Sequence, residues 1–226
     1  PALMKKCLRL GIPFGAQGSL IAFSCVALQS IINRFGSDVI AAFTATSRIE
    51  QLVQQPYNSL ATALATFAAQ NIGAGNQERV RRGFRKSTFL VIVFSVIMCG
   101  IMFLSGEAFV RLFVKDANVI AIGGRAIRIT SLFYIPLGMI YITRSLLNGA
   151  GDSAFAFVSG LAEVVGRVGF SILLAGIPAL GYWAVWYTTG LTWLITGAAC
   201  ICRESGNGLY WWRNSAQGET YEDHRN

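Results

Sequence analysis

No charged residue lies between Arg9 and Arg34, and the same pattern recurs along the chain. Residues 10–33, 51–77, 87–106 and 168–202 contain no Asp, Glu, Lys or Arg. A helix of about 20 apolar residues crosses the ~30 Å hydrocarbon core of a bilayer. A soluble fold would place charges on every exposed face of its elements, whereas here most charges fall in the gaps between apolar stretches. Charged residues make up 13% of the 226, against about 25% in soluble domains. The chain therefore reads as an all-α, polytopic membrane protein. Its net charge of +8 reads as loop charge that sets orientation, not as a nucleic-acid surface.

The apolar stretches predict a six-transmembrane-helix bundle, with spans at about 10–32, 39–71, 87–104, 127–148, 153–175 and 182–202. The second is long, roughly 50 Å at about 1.5 Å per residue, so it must tilt or project from the bilayer, and Pro56 is expected to kink it. Pro136 falls inside the fourth. Residues 204–226 read as a polar cytoplasmic tail. Lys5, Lys6 and Arg9 precede the first span, and Arg79, Arg81, Arg82, Arg85 and Lys86 separate the second from the third. Arg144 flanks the fourth-to-fifth connection and Arg203 follows the sixth span. With six spans these positions share one face, which the positive-inside rule assigns to the cytoplasm. The basic run suits an amphipathic segment on an anionic leaflet, at about 1 kcal/mol per cation.

Polar groups at membrane depth are costly and face a bundle interior or a wet cavity. Arg48, Gln51, Gln55, Asn58 and Thr62 step by three and four residues and so share one helical stripe. Glu50 and Gln54 lie beside it, with Ile49, Leu52, Val53 and Leu60 opposite. Such a stripe lines a solute cavity or glues helices together. The fifth span carries Glu163 and Arg167 at i and i+4, in the favoured order, as a structural ion pair or a gate, with Ser159 and Ser171 on the same face. Tyr134, Tyr141 and Asn148 recur at seven-residue steps on the fourth, where aromatic rings with polar tips suit flat or cationic ligands or plain packing. Gln17, Ser24 and Gln29 are the polar residues of the first.

Several function classes lack their residues. There is no phosphate-binding Gly-rich loop ending in Lys, so no ATP engine, and no metalloprotease or serine-nucleophile motif. A potassium-filter string is also missing. Four of the five cysteines sit in or beside apolar spans and read as small hydrophobes. Cys200 and Cys202 have no histidine partner apart from tail residue His224, so no metal site is expected. The chain opens Pro1-Ala2-Leu3-Met4 and is expected to be a piece of a longer protein.

Certain strings are more specific. Gly11-Ile12-Pro13 opens the first span, and Phe35-Gly36-Ser37 with Ile40-Ala41-Ala42 leads into the second. Gln70-Asn71-Ile72-Gly73-Ala74-Gly75-Asn76 closes the second, just before the basic run. Asn148-Gly149-Ala150-Gly151-Asp152-Ser153 closes the fourth, and Glu163 and Arg167 mark the fifth. This pattern, from about Leu8 to Arg203, resembles the C-terminal lobe of the multidrug and toxic compound extrusion (MATE) transporters. The resemblance implies a non-enzymatic antiporter of the cell membrane, exporting drugs or organic cations on a proton or sodium gradient. It implies a partner N-terminal lobe not contained in this chain, and alternating access by rocking of the two lobes. Gln17, Arg48, Glu50, Gln51, Gln55, Asn58, Tyr134 and Tyr141 then become the expected substrate-cavity residues. Some relatives place an acid in the first and fourth helices of this lobe. Here those positions fall near Ile21 and Leu137, both apolar, which shifts any coupling acid toward the other lobe. A lipid-linked saccharide flippase of the same superfamily, or a non-transporting scaffold subunit, are the alternative readings.

Overall fold

The computed structural model describes residues 2–216, and among them there is no β-strand. The helices are α1 (Ala2–Ile32), α2 (Ser37–Gly73), α3 (Gln77–Arg111), α4 (Ala117–Ser131), α5 (Tyr134–Gly149), α6 (Ser153–Ala175) and α7 (Ala184–Ala216). A single 3-10 turn, Gly181–Trp183, leads into α7.

Three sequence boundaries need correction. The fourth expected span is two helices, α4 and α5, meeting at 54°. Pro136 explains the break, because it has no N–H to offer the Leu132 carbonyl. The Phe133 amide instead donates to the Thr130 carbonyl at 3.0 Å, and Leu137 restarts the ladder by donating to Phe133 at 3.1 Å. α4 starts well before residue 127, where Asp116 caps it by accepting from the amides of Asn118 (2.8 Å) and Val119 (3.2 Å). The basic run is helical and continuous with the third span, forming the opening turns of α3 ahead of residue 87. Finally, α7 continues beyond Arg203 to Ala216, while residues 217–226 of the expected tail lie outside the described residues. α2 is a single helix that runs through Pro56.

Among the described residues, four helical stretches are long and apolar enough to cross a bilayer, or five if the bent pair α4–α5 counts as one. α2 is long enough at 37 residues, but its many amide and hydroxyl side chains keep it from being counted among these apolar stretches. The apolar helices turn large side chains outward, among them Phe23, Leu104, Ile172 and Ile195. This is the surface a chain surrounded by lipid requires, and the protein is a multi-pass membrane protein.

α1 packs along α6, α6 on α7, and α7 on α5; α5 and α3 then pack on α2, and α3 on α4. Lipid removes most of the hydrophobic drive between helices, so close packing and buried hydrogen bonds hold the bundle. Ser95 of α3 knots three helices together. Its Oγ lies 2.8 Å from the Tyr57 hydroxyl, 2.7 Å from the Val91 carbonyl and 3.2 Å from the Tyr134 carbonyl.

α2 and α5 end in the same turn. Gly75 (φ 72°) and Gly151 (φ 87°) both occupy the left-handed region. The Asn76 amide donates to the Asn71 carbonyl and the Asp152 amide to the Leu147 carbonyl, six-residue closures of 2.7 and 2.9 Å. Inside them Gly75 donates to Ile72 and Gly151 to Asn148, completing a Schellman motif in each case. The shared Gly-Ala-Gly strings are thus one structural device used twice. A Cβ on Gly149 would run into the Ala65 carbonyl and the Ala68 side chain, which places the two helix ends side by side.

Candidate functional site

Five helices, α1, α2, α5, α6 and α7, surround a cavity of about 630 Å³. α2 contributes Ser47, Glu50, Gln51, Gln54, Asn58 and Thr62; α5 contributes Tyr141, Arg144, Ser145 and Asn148. Gln17, Cys25 and Gln29 come from α1, Glu163 and Arg167 from α6, and Thr189 and Trp193 from α7. α3 and α4 contribute none of its lining.

A buried charge cluster forms one wall. Glu163 accepts from Arg167 Nη2 through Oε1 and from Arg144 Nη2 through Oε2, each at 2.8 Å. Arg144 also donates to the Ser159 carbonyl (3.2 Å), and Arg167 Nη1 lies 2.9 Å from Cys25 Sγ. The Ser171 hydroxyl donates to the Arg167 carbonyl at 2.5 Å. Two guanidinium groups on one carboxylate leave one net positive charge. The Nε atoms of both arginines are buried without a partner, so the carboxylate is the cluster's main compensation. Across the cavity, Glu50 makes no ion pair among the described residues, and its Oε1 is buried without a hydrogen-bond partner. Tyr141 donates to Gln54 Oε1 at 2.8 Å and stacks on Tyr57, ring centroids 5.9 Å apart.

Of the residues expected from sequence, Gln17, Glu50, Gln51, Asn58, Tyr141, Glu163 and Arg167 line this cavity. Arg48, Gln55 and Tyr134 do not. Arg48 and Gln55 lie on the exposed surface of α2. The cavity face of α2 runs through Ser47, Glu50, Gln54, Asn58 and Ala61. At ~100° per residue this is turned roughly 70° from the stripe read in the sequence, so only Gln51, Asn58 and Thr62 belong to both. Leu52, expected opposite the stripe, is also exposed. Tyr134 opens α5 directly after the break and is buried in the core instead. Ser24 bonds back to the Ile21 carbonyl at 2.7 Å. The apolar residues Ile21 and Leu137 both line the cavity.

Gln54 and Arg144 are lining residues that the sequence pattern alone does not single out. Gln54 sat beside the stripe. Arg144 stands at the end of the fourth expected span, four residues before Asn148 on the same face. The four-residue steps from Gln17 to Ile21, Cys25 and Gln29 were a further available signal for the α1 wall.

The family model MatE matches residues 13–173. The chain is 28% identical over 195 residues to a Bacillus subtilis (strain 168) protein named "Probable multidrug resistance protein YpnP", covering 86% of this chain and 43% of that one. A solved structure described as MATE in the bent conformation superposes with a TM-score of 0.89 at 18% identity, covering 96% of this chain and 48% of that chain. An outward-facing multidrug resistance MATE family transporter of the MOP superfamily gives 0.83 at 19% identity, over 91% and 48%. The chain thus spans less than half the length of these relatives. Such relatives are transporters, not enzymes. With a fold that matches throughout and a family model covering most of its length, this chain belongs to the MatE family.

Proposed function

We propose that this chain is one lobe of a secondary efflux transporter of the plasma membrane. It works with a second six-helix lobe to export drugs or organic cations by alternating access, as an antiporter driven by a proton or sodium gradient. The observation that carries this reading is the amide-rich cavity of about 630 Å³ on the α2–α5–α6 walls. Interhelical glue alone would not leave Gln51, Asn58 and Thr62 exposed beside open space. Aromatic faces from Tyr141 and Trp193 give such a cavity something for flat or cationic solutes to stack on. Glu163 is saturated by two arginines, which leaves Glu50 as the acid of this lobe placed to bind the coupling ion or a substrate cation.

The test is export of a panel of fluorescent cationic dyes by the full-length protein, normalised to its amount in the membrane. Gln54→Leu and Asn58→Leu should change which dyes are exported, and Glu50→Gln should weaken gradient-driven export. Arg48→Gln, outside the cavity, should leave the profile near parental. If all four variants export every dye at the parental rate, the cavity has no part in transport.

A further inference from the structure

We propose that the first turns of α3 hold an anionic phospholipid, with a two-phosphate headgroup on Arg82, Arg85 and Lys86 and acyl chains on Phe89 and Leu90. These five residues line one groove of about 550 Å³. All five are exposed, Phe89 by 66%. They recur every three to four residues, so they share one face of the helix. Cations occupy the end near the helix start, and apolar side chains occupy the next turn. Val93 and Ile97 carry the exposed apolar stripe farther along the same helix.

This order, charge and then grease along one face, matches the order of a phospholipid from headgroup to chain. A soluble anion such as phosphate would have no use for the apolar half. Glu78 lies 3.1 Å from Arg82 and offsets one of the three cations. The remaining charge suits a headgroup with two phosphates better than a zwitterionic one. Basic pockets where a helix meets the headgroup layer attract such lipids. The groove is separate from the cavity, since the two share no lining residue and α3 contributes nothing to the cavity wall. A lipid here would not occupy the cavity.

The experiment uses the purified full-length protein and native mass spectrometry, titrating cardiolipin, phosphatidylglycerol and phosphatidylcholine, with inorganic pyrophosphate as competitor. Cardiolipin should bind tightest and phosphatidylcholine weakest. Arg85→Gln and Lys86→Gln should each raise the cardiolipin Kd about fivefold, with Arg85→Lys close to parental. Phe89→Ser should weaken binding with all cations in place, and Arg111→Gln, at the other end of α3, should not. All these side chains are exposed, so melting temperatures should stay parental, which separates lost binding from lost folding. Equal affinity for the three lipids would overturn the proposal. So would displacement of cardiolipin by pyrophosphate at comparable concentration together with no effect of Phe89→Ser, since the site would then hold soluble anions.

Discussion

At the scale of single residues, Glu163 is the position where one atom type carries the most. It compensates Arg144 and Arg167 at once, and removing a partner from a buried ion pair costs about 3–5 kcal/mol. The pair read in the sequence would make Glu163 and Arg167 equivalent and a double replacement benign. The third member changes that expectation. Glu163→Gln strands two guanidinium groups and should give the largest loss of thermal stability in detergent. Arg167→Gln leaves Glu163 bonded to Arg144 and should be milder. The double variant still strands Arg144, so it should resemble Glu163→Gln rather than the parent. Melting curves followed by size-exclusion chromatography read all three. Equal losses for both single variants with recovery in the double would return the cluster to a simple pair.

At the scale of elements, the α4–α5 break is held from outside as well as by Pro136. The ring of Phe133 lies where a Cβ on Gly190 of α7 would have to go. Gly190→Ala should therefore overpack the break by about 1–3 kcal/mol, lowering the melting temperature. Phe133→Ala in the same chain should restore most of that loss, because the obstacle is the ring. A Gly190→Ala loss that persists unchanged without the ring would assign the effect to helix packing elsewhere. α3 carries the prediction about sidedness. Its start and the ends of α2 and α5 share one polar face, which the positive-inside rule makes cytoplasmic. A cysteine at Asn76, exposed at that face, should react with a membrane-impermeant thiol reagent only after permeabilisation. Labelling in intact cells would invert the lobe.

Seen as a whole molecule, the bundle was legible where chemistry repeats along the chain. Charge-free runs located the apolar helices, and i, i+4 spacing found Glu163 and Arg167. Rotation about a helix axis was less legible. Arg48, Gln55 and Gln51 look alike in a stripe, but only packing of α3, α4 and α5 against α2 decides which edge of the stripe meets the cavity. Arg144 was hidden for a different reason. Its partner lies on another helix, and no local spacing records that. The break before Tyr134 was signalled by Pro136, but proline alone gives no angle, as the unbroken helix through Pro56 demonstrates. The start of α4 was hidden because its glycines and two arginines interrupt the apolar signal, although Gly123 and Gly124 pack on α3 and Arg128 meets Glu107 there at 3.2 Å.

The matched glycine turns that end α2 and α5 bear on how this lobe tolerates change over generations. Each cavity residue on those helices is a fixed number of residues from a stop that cannot slide, because only glycine fits its backbone angle without strain. One codon inserted between Asn58 and Gly75, or between Tyr141 and Gly151, would swing everything on one side of it by about 100°. Amide and guanidinium groups would then turn toward lipid. Point replacements within the cavity wall keep that phase. In a library of the full-length gene selected for drug resistance, survivors should therefore carry many substitutions at Gln51, Gln54 and Asn58. They should carry almost no single-codon insertions or deletions in those two intervals, while such length changes accumulate in the 112–116 connection. Equal recovery of length changes in all three intervals would mean that the two stops do not set the phase of the wall.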